Sequence, residues 1–317
     1  MRQGPYIVCL EGGGSRCQAV LLNTKADILA KSQSSDVNTN FVSVEAAQSA
    51  ALTAVRDAVE AAGVSGSQVA HFASALVASR FGFGPELFSG VIPNARYHIY
   101  SERDVVFARA GLYSPHGVAI VAATGATAWA RRADNGREFT AGGWGALLGD
   151  EGSAYAVGLR MLRAATRLYE GRITTPSRIV EALCERFGLD VSTFRGGLCD
   201  VAYQKPLTRP EIAGLAPIAT RLAYEGDTVA LQIVQRVAAD LADLALFTAS
   251  SLCSQEESFD VAIAGGLMNA GSLILDPLAK RLATTFPQAR LTVGQEEPAV
   301  ALGLLLLHDL HFSNGGR

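Results

Sequence analysis

The sequence predicts an α/β protein with two lobes and a central cleft. Its 317 residues, 49% of them hydrophobic, suggest about two domains with ample material for a core. A strand, a glycine turn and a second strand open the chain, and the same pattern returns at Gly117. After each hairpin, strands alternate with stretches of helical spacing. This arrangement is typical of mixed sheets covered by helices.

The predicted N-terminal lobe comprises residues 1–117. Apolar runs bounded by turn residues predict its strands, and apolar residues at helical spacing predict its helices. The expected elements are strands at 6–10, 17–22 and 28–31, a helix at 44–62, strands at 69–77 and 97–100, and a helix at 105–112. Gly63 supplies a stop signal for the first helix.

The predicted C-terminal lobe comprises residues 118–317, and its last helix is free to pack back on the N-terminal lobe. A hairpin opens this lobe, and most of the sequence after Gly152 is helical in pattern. The expected strands are 118–123, 126–131, 138–140, 260–264 and 290–293, and the expected helices are 153–169, 176–187, 208–224, 226–252, 272–285 and one that Pro298 opens.

The charge pattern points to small-molecule partners. The formal net charge is −3, and neither sign forms a block that would attract nucleic acid or a membrane surface. The most apolar stretches are interrupted by polar residues before they reach the ~20 residues that span a bilayer. The N-terminus lacks a secretion signal pattern, so we expect a cytoplasmic protein.

The cysteines and histidines do not predict a metal site. The five cysteines are scattered and lack the CxxC spacing of metal and cluster sites, so reduced thiols are expected. His308 and His311 could share a helix face, but no third ligand lies near them in the sequence.

Two glycine turns could bind phosphate. Consecutive glycines let backbone N–H groups approach phosphate oxygens, and a neighbouring hydroxyl and cation can add to the site. The turns lie in hairpins and do not open helices, which separates them from Rossmann and P-loop sites. A purely structural hairpin remains the alternative for each. The first turn consists of Glu11, Gly12, Gly13, Gly14, Ser15 and Arg16, and the second is built on Thr124 and Gly125.

Two further segments have the composition of ligand sites. Trp144, set among glycines, offers a flat apolar face to a sugar, and Asp150 can accept hydrogen bonds from hydroxyl groups. The alternatives are a loop around a buried tryptophan, or a helix start that places Asp150 near the helix dipole. Gly265 and Gly266 follow a buried strand, where a backbone could pass under a planar base, although a plain strand-to-helix turn is equally compatible.

These motifs together resemble a known family. EGGGSRCQAVLL, ATG, GGWGALLGDEGSAY and AGG occur in the order found in N-acetylglucosamine kinases. That family belongs to the BadF/BadG-type ATPase group of the superfamily that joins sugar kinases, actin and heat-shock chaperones. The resemblance implies an actin-like ATPase fold of the ribonuclease H-like type. It also implies phosphorylation of N-acetylglucosamine to its 6-phosphate with ATP and Mg²⁺, and we expect a homodimer.

The resemblance also implies roles for individual residues. Asp104 matches the general base, which also contacts the sugar, and Glu11 matches the acid that orients magnesium through water. The implied sugar-binding residues are Asn40, Asp104, Thr124, Thr127, Trp144 and Asp150. The implied ATP and phosphate contacts are Gly12, Gly13, Gly14, Ser15, Arg16, Thr124, Gly125, Gly265 and Gly266.

The chain departs from the family pattern at the second turn. The family usually has Ser-Gly-Thr-Gly-Ser, whereas residues 122–126 read AATGA, and Thr127 replaces a sugar-contacting asparagine. Glucosamine and N-acetylmuramic acid are therefore alternative substrates. Two functions from other classes also stay open, namely a sugar sensor and an ATPase that activates a partner enzyme. Activators of that kind carry an iron–sulfur cluster, for which this chain lacks a convincing set of cysteines.

Overall fold

The computed structural model describes residues 6–13, 16–40, 42–76, 82–204 and 206–314, with side chains up to residue 311. The chain divides into two compact units, Met1–Ser114 with Gly294–Arg317, and Pro115–Val293. Residues 294–317 therefore belong to the first unit, the arrangement allowed above for the last helix of the predicted C-terminal lobe, residues 118–317. Backbone N–H groups of Gln295 and Glu296 donate to the carbonyl of Arg109, which ties the returning chain to the first unit.

The first unit contains one mixed sheet. Its strands are β1 (Tyr6–Gly12), β2 (Cys17–Asn23), β3 (Ile28–Ser34), β4 (Val69–Leu76) and β5 (Arg96–Ile99). Their order across the sheet is β3-β2-β1-β4-β5. The first three strands are antiparallel, whereas β4 runs parallel to both β1 and β5.

Helices cover both faces of this sheet. They are α1 (Val44–Ala62), α2 (Pro85–Phe88), α3 (Glu102–Arg109) and α11 (Pro298–Asn314). Side chains of β1 alternate between the two faces: Val8 and Leu10 pack in the cluster with α1, and Ile7 and Cys9 pack in the cluster with α11. A strand buried on both faces explains the unbroken apolar run at the start of the sequence.

The second unit contains a sheet of the same topology. Its strands are β6 (Gly117–Ala122), β7 (Ala126–Arg131), β8 (Glu138–Gly142), β9 (Phe259–Ala264) and β10 (Ala289–Val293), in the order β10-β9-β6-β7-β8. An antiparallel meander of three strands is again extended by two parallel strands on the side of its first strand. The two glycine turns therefore occupy equivalent places, each after the central strand of its sheet.

Most helices of the chain belong to the second unit. They are α4 (Ala154–Tyr169), α5 (Ile179–Phe187), α6 (Phe194–Cys199), α7 (Arg209–Ala213), α8 (Ala216–Tyr224), α9 (Thr228–Ser250) and α10 (Ser272–Thr285). Short helical turns occur at Gly66–Gln68, Val191–Thr193, Asp200–Gln204 and Gly266–Ala270. One apolar cluster joins the sheet to these helices, with α9 contributing its alanine-rich face.

The structure corrects several predicted boundaries. Helix α3 begins at Glu102, three residues before the predicted start, because Ser101 and Asp104 form a capping box. The expected helix at 208–224 is two helices, α7 and α8, that meet at Gly214. Two short helices, α2 and α6, were not predicted, since four to six residues carry too little periodicity to register.

The helices of the described residues include none with the length and apolar character needed to cross a membrane. Cys9, Cys17, Cys184 and Cys253 are buried thiols, and Cys199 is exposed.

Packing of α4 against α7 generates a stability prediction. An added methyl group at Gly158 of α4 would lie 1.8 Å from the carbonyl oxygen of Ile212, whereas one at Gly196 of α6 would meet open space. Gly158→Ala should lower the free energy of unfolding by about 1–3 kcal/mol through overpacking. Gly196→Ala should leave it unchanged or raise it by up to about 1 kcal/mol through helix propensity.

Urea denaturation of both variants provides the measurement. Equal effects of the two substitutions would contradict the close approach of α4 to α7.

Candidate active site

The first glycine turn joins β1 to β2. Gly12 pairs with Cys17 across the hairpin, and a methyl group on Gly12 would lie 2.5 Å from the side chain of Val37. The N–H of Gly13 donates to the carbonyl of Arg16 at 3.2 Å. Gly14 and Ser15 lie outside the described residues, so the predicted phosphate contacts of this turn stay predictions.

Two acidic residues influence each other at the carboxyl edge of the first sheet. Glu11 is the next-to-last residue of β1 and Glu102 follows β5, and the parallel pairings through β4 bring these strand ends to one edge. Burial and the charge of Glu102 raise the pKa of Glu11 to about 7, although Arg109 and Arg16 oppose the rise. Burial likewise raises the pKa of Glu102 to about 7.

Glu102 was not among the predicted site residues. Its position as the first residue of α3 suggests only a favourable interaction with the helix dipole. The strand order of the sheet is needed to relate it to Glu11, so no local signal in the sequence could have identified it.

Asp104 is the third residue of α3, and its carboxylate is held in a capping box. Oδ2 accepts hydrogen bonds from the backbone N–H of Ser101 at 2.9 Å and from its hydroxyl at 2.6 Å. The N–H of Asp104 donates in return to the Ser101 hydroxyl at 3.3 Å. Oδ1 lies 3.9 Å from Nε of Arg103. The cap fixes the direction of this carboxylate relative to the helix.

Asn40, another predicted sugar-binding residue, is exposed in the segment after β3. Its N–H donates to Oδ1 of Asn38 at 3.0 Å, and Asn38 is buried. The N–H of Asn38 donates in turn to the carboxylate of Asp36 at 2.6 Å. These two successive turns hold the backbone at Asn40 and leave its side chain exposed.

The second glycine turn, which joins β6 to β7, is anchored on Asp150. Within the turn, the N–H of Ala123 donates to the carbonyl of Gly125 at 2.8 Å. Oδ1 of Asp150 accepts from the N–H of Ala126 at 3.0 Å. A methyl group on Gly125 would lie 2.9 Å from the same oxygen. The glycine next to Thr124 therefore permits the carboxylate to approach the turn.

Asp150 itself is only 3% exposed and has a left-handed backbone with φ of 67°. Its Oδ2 accepts from Nη2 of Arg209, the first residue of α7, at 2.6 Å. A buried carboxylate needs such partners, because its desolvation is otherwise costly. Arg209 was not predicted as a site residue, and its separation of 59 residues from Asp150 gives no local signal.

The loop between β8 and α4 presents its tryptophan to solvent. Trp144 is 73% exposed and Leu147 is 94% exposed, so the alternative of a loop around a buried tryptophan is wrong. The loop is attached to the second turn, because the N–H of Gly143 donates to the carbonyl of Ala126 at 2.8 Å. A methyl group on Gly143 would lie 2.7 Å from the hydroxyl of Thr127, which places that residue beside the loop.

The Gly265–Gly266 turn lies against the end of β6. Gly265 has φ of 120°, and a methyl group there would be 2.3 Å from the carbonyl oxygen of Ala122. Only glycine fits this close approach. The second unit thus brings together the Thr124 turn, Asp150 and Gly265.

One group of potential metal ligands lies outside these motifs. Ligand atoms of His116, Cys253 and Glu257 are within 4.8 Å of one another. The guanidinium of Arg132 donates to Glu257 at 3.1 Å and supplies the positive charge that a metal would bring. The N–H of Ala133 points at Nδ1 of His116 at 3.3 Å, so the ring proton is on Nε2, which donates to Glu257. This geometry indicates a structural cluster.

Comparison with known proteins assigns the chain to a family. Residues 10–288 match the BadF/BadG/BcrA/BcrD ATPase family. The chain belongs to this family. Membership confirms the resemblance inferred from the glycine and tryptophan motifs, and it implies that this ATPase family member uses ATP.

Two relatives of known activity are similar to this ATPase family member. An N-acetylmuramic acid/N-acetylglucosamine kinase of Clostridium acetobutylicum is 25% identical over 60% of this chain and 60% of its own length. An N-acetyl-D-glucosamine kinase of Dictyostelium discoideum is 28% identical over 67% of this chain and 66% of its own length. The matched region thus spans about two thirds of these relatives or slightly less.

Solved structures confirm the predicted fold class. A candidate N-acetylglucosamine kinase from Chromobacterium violaceum superposes with a TM-score of 0.69 at 23% identity, covering 95% of this chain and 99% of that one. This member of the ATPase family therefore shares the α/β fold of that solved structure.

The raised pKa of Glu102 generates a pH prediction. The folded chain retains a proton on Glu102 up to about pH 7, whereas the unfolded chain releases it near pH 4.5. The unfolded state therefore binds fewer protons in this window, and the free energy of unfolding should fall as pH rises from 4.5 to 7. Glu102→Gln should reduce this fall.

Urea denaturation across the pH window measures the effect, with Glu60→Gln on the exposed face of α1 as the matched control. The same pH dependence in Glu102→Gln as in the unaltered protein would contradict the assignment.

Proposed function

We propose that this protein transfers the γ-phosphoryl group of ATP to an amino sugar, with N-acetylglucosamine as the preferred substrate and its 6-phosphate as the product. One observation carries the proposal. Asp150 joins the second glycine turn to the loop that bears exposed Trp144, and Gly265 lies against the same strand end. The turn proposed to bind phosphate, the tryptophan proposed to stack on the sugar and the turn proposed to support the adenosine are thus connected within the second unit.

The choice of an amino sugar rests on the relatives. The Clostridium acetobutylicum and Dictyostelium discoideum kinases both include N-acetylglucosamine in their names. The tryptophan loop of this chain, GGWGALLGDEGSAY, supports the same class of substrate. N-acetylmuramic acid and glucosamine are the closest competing substrates within the proposal.

Phosphoryl transfer depends mainly on positioning and on stabilising charge. In this proposal, the turn formed by Gly12, Gly13, Gly14, Ser15 and Arg16 binds phosphate oxygens together with the Thr124–Gly125 turn. Gly265 and Gly266 support the adenosine. Glycine at these positions allows the backbone to approach a ligand without steric conflict.

The acidic pair of the first unit suits a magnesium ion. The charge of Glu102 disfavours the charged form of Glu11, and a cation nearby would relieve that repulsion. Oxygen ligands are those that Mg²⁺ prefers, and it commonly retains water, so Glu11 would hold it through water and Glu102 would assist. Bound there, Mg²⁺ would neutralise charge on the phosphates.

Asp104 is the proposed general base. The sugar's primary hydroxyl would give its proton to Asp104 Oδ1 as the hydroxyl oxygen attacks the γ-phosphorus and ADP leaves. Because Oδ2 is held by two donors from Ser101, the carboxylate keeps one orientation throughout the reaction. An oriented base avoids the entropic cost of bringing its oxygen to the hydroxyl.

Sugar recognition is proposed to combine stacking with hydrogen bonds. The indole of Trp144 would cover the apolar face of the ring, and Asn40, Thr124 and Thr127 would bind its hydroxyl and acetamido groups. Asp150 already accepts from two groups, and a carboxylate has lone pairs for further donors. Its direct contact with sugar stays a prediction, as do the homodimer and the cytoplasmic location.

A substrate panel tests the function. With ATP and Mg²⁺, ADP release should be dependent on sugar and fastest with N-acetylglucosamine, compared with glucosamine, N-acetylmuramic acid, N-acetylmannosamine and glucose. Phosphorylation at the 6-position is checked by mass spectrometry and NMR of the product.

The panel also separates the other functions. Equal or better turnover of glucose would contradict the amino-sugar preference. ADP release that does not respond to any sugar would indicate a partner-activating ATPase, and binding of sugar without turnover would indicate a sensor.

Replacement of Asp104 tests the base. Asp104→Asn keeps the size of the side chain but cannot take a proton, so turnover should fall by roughly 10²–10⁴-fold while the Michaelis constant for sugar changes far less. Steady-state kinetics of the folded variant provide the measurement.

Ser101→Ala is the matched control, because it removes the hydroxyl of the capping box and retains the carboxylate. It should cost about 0.5–2 kcal/mol of stability, and it should lower turnover far less than Asp104→Asn does, because the N–H of Ser101 still holds Oδ2. Near-normal turnover of Asp104→Asn would show that another group is the base.

A further inference from the structure

A groove between α4 and α9 in the second unit is lined by four arginines. Arg160, Arg163 and Arg167 project from α4, and Arg236 projects from α9. The groove encloses about 280 Å³. None of these residues belongs to the glycine turns or the tryptophan loop, so the proposed kinase function leaves the cluster unexplained.

The arginines are only partly neutralised. Asp240 accepts from Arg160 at 3.1 Å and from Arg236 at 3.1 Å. Arg163 and Arg167 are exposed, and their guanidinium groups make no hydrogen bond or ion pair within the described ranges of the chain. Four cations against one neighbouring anion leave a formal local charge of +3 from the groove arginines and Asp240.

The spacing of the arginines on α4 opposes helix stability. Arg160, Arg163 and Arg167 follow one another at intervals of three and four residues, which places like charges on one face of the helix. Such pairs destabilise a helix, although Arg167 lies in the last turn of α4, where the helix dipole favours a cation. An anion bound from solution would relieve this repulsion.

The floor of the groove is apolar. It is made of Ile173, Val229 and Ile233, which line the groove together with the amide of Gln232. Val229 and Ile233 are buried parts of the helical core, which gives the floor a fixed shape. The volume of the groove is close to the lower end of the range of about 300–1,000 Å³ for drug-sized ligands, which suits a small ligand.

We propose that this groove binds a small organic phosphate of sugar-phosphate size. Arg163 and Arg167 would hold the phosphate, because guanidinium groups bind phosphate oxygens through paired, charge-assisted hydrogen bonds. The carbon face of the sugar would lie on Ile173 and Ile233, and Gln232 would bind a hydroxyl. The inference does not rest on the proposed kinase function, since it concerns binding at residues that take no part in that reaction.

Calorimetric titration of the full-length protein with glucose 6-phosphate tests the site. The unaltered protein should bind glucose 6-phosphate more tightly than inorganic phosphate, which lacks the part that contacts the floor. Arg163→Gln/Arg167→Gln should weaken binding of glucose 6-phosphate by roughly tenfold or more. Added sodium chloride should weaken binding to the unaltered protein, since salt screens exposed charges.

Arg195→Gln is the matched control, because Arg195 is an exposed arginine on another helix, α6, of the same unit. It should bind glucose 6-phosphate like the unaltered protein. Thermal melting and circular dichroism check that the double variant is folded, as expected for two exposed side chains.

Three results would overturn the proposal. These are no binding of glucose 6-phosphate to the unaltered protein, equal binding by the Arg163→Gln/Arg167→Gln variant, and equal affinity for inorganic phosphate and glucose 6-phosphate. Loss of sugar kinase activity in the substrate panel would not affect this measurement, so the two proposals fail separately.

Discussion

The buried carboxylate of Asp150 is the interaction on which the proposed site of the second unit depends. It accepts one hydrogen bond from the turn after β6 and one from Arg209 at the start of α7. Removing either partner would leave a desolvated charge, which is far costlier than the net gain from the pair. The left-handed backbone of Asp150 is tolerated because these bonds determine its position. The turn, the tryptophan loop and α7 are therefore held as one element.

The first unit has the same sheet topology but a different arrangement of charged residues. In place of a buried ion pair, Glu11 and Glu102 approach each other at the carboxyl edge, and burial raises the pKa of both. A carboxylate that is paired within the fold keeps its position without a ligand, whereas a site with like charges gains most when a cation binds. Two sheets with the same strand order would thus serve different purposes. The sheet of the second unit positions the glycine turn and the tryptophan loop, and the sheet of the first unit would bind a cation.

Local sequence patterns predicted the helices and strands well, but they did not predict the contacts between segments that are distant in the sequence. Apolar runs and glycine turns identified both hairpins, and the span predicted for α10, residues 272–285, matches the observed helix. The sequence carries no comparable signal for the ion pair of Asp150 with Arg209, or for the return of the chain at Gly294. These features depend on which strands become neighbours in the sheet. The spacing of apolar residues within one segment does not determine that order.

The start of α3 shows why helix caps and site residues are hard to distinguish from the sequence alone. Ser101 and Asp104 satisfy a local rule for starting a helix, and that rule alone accounts for their presence. Yet a carboxylate in a capping box has one oxygen occupied and its direction fixed, which is also what an oriented base requires. The structural role and the proposed catalytic role of Asp104 therefore depend on the same fixed orientation of its carboxylate. Stability measurements alone cannot distinguish them, because only proton transfer requires the carboxylate to be basic.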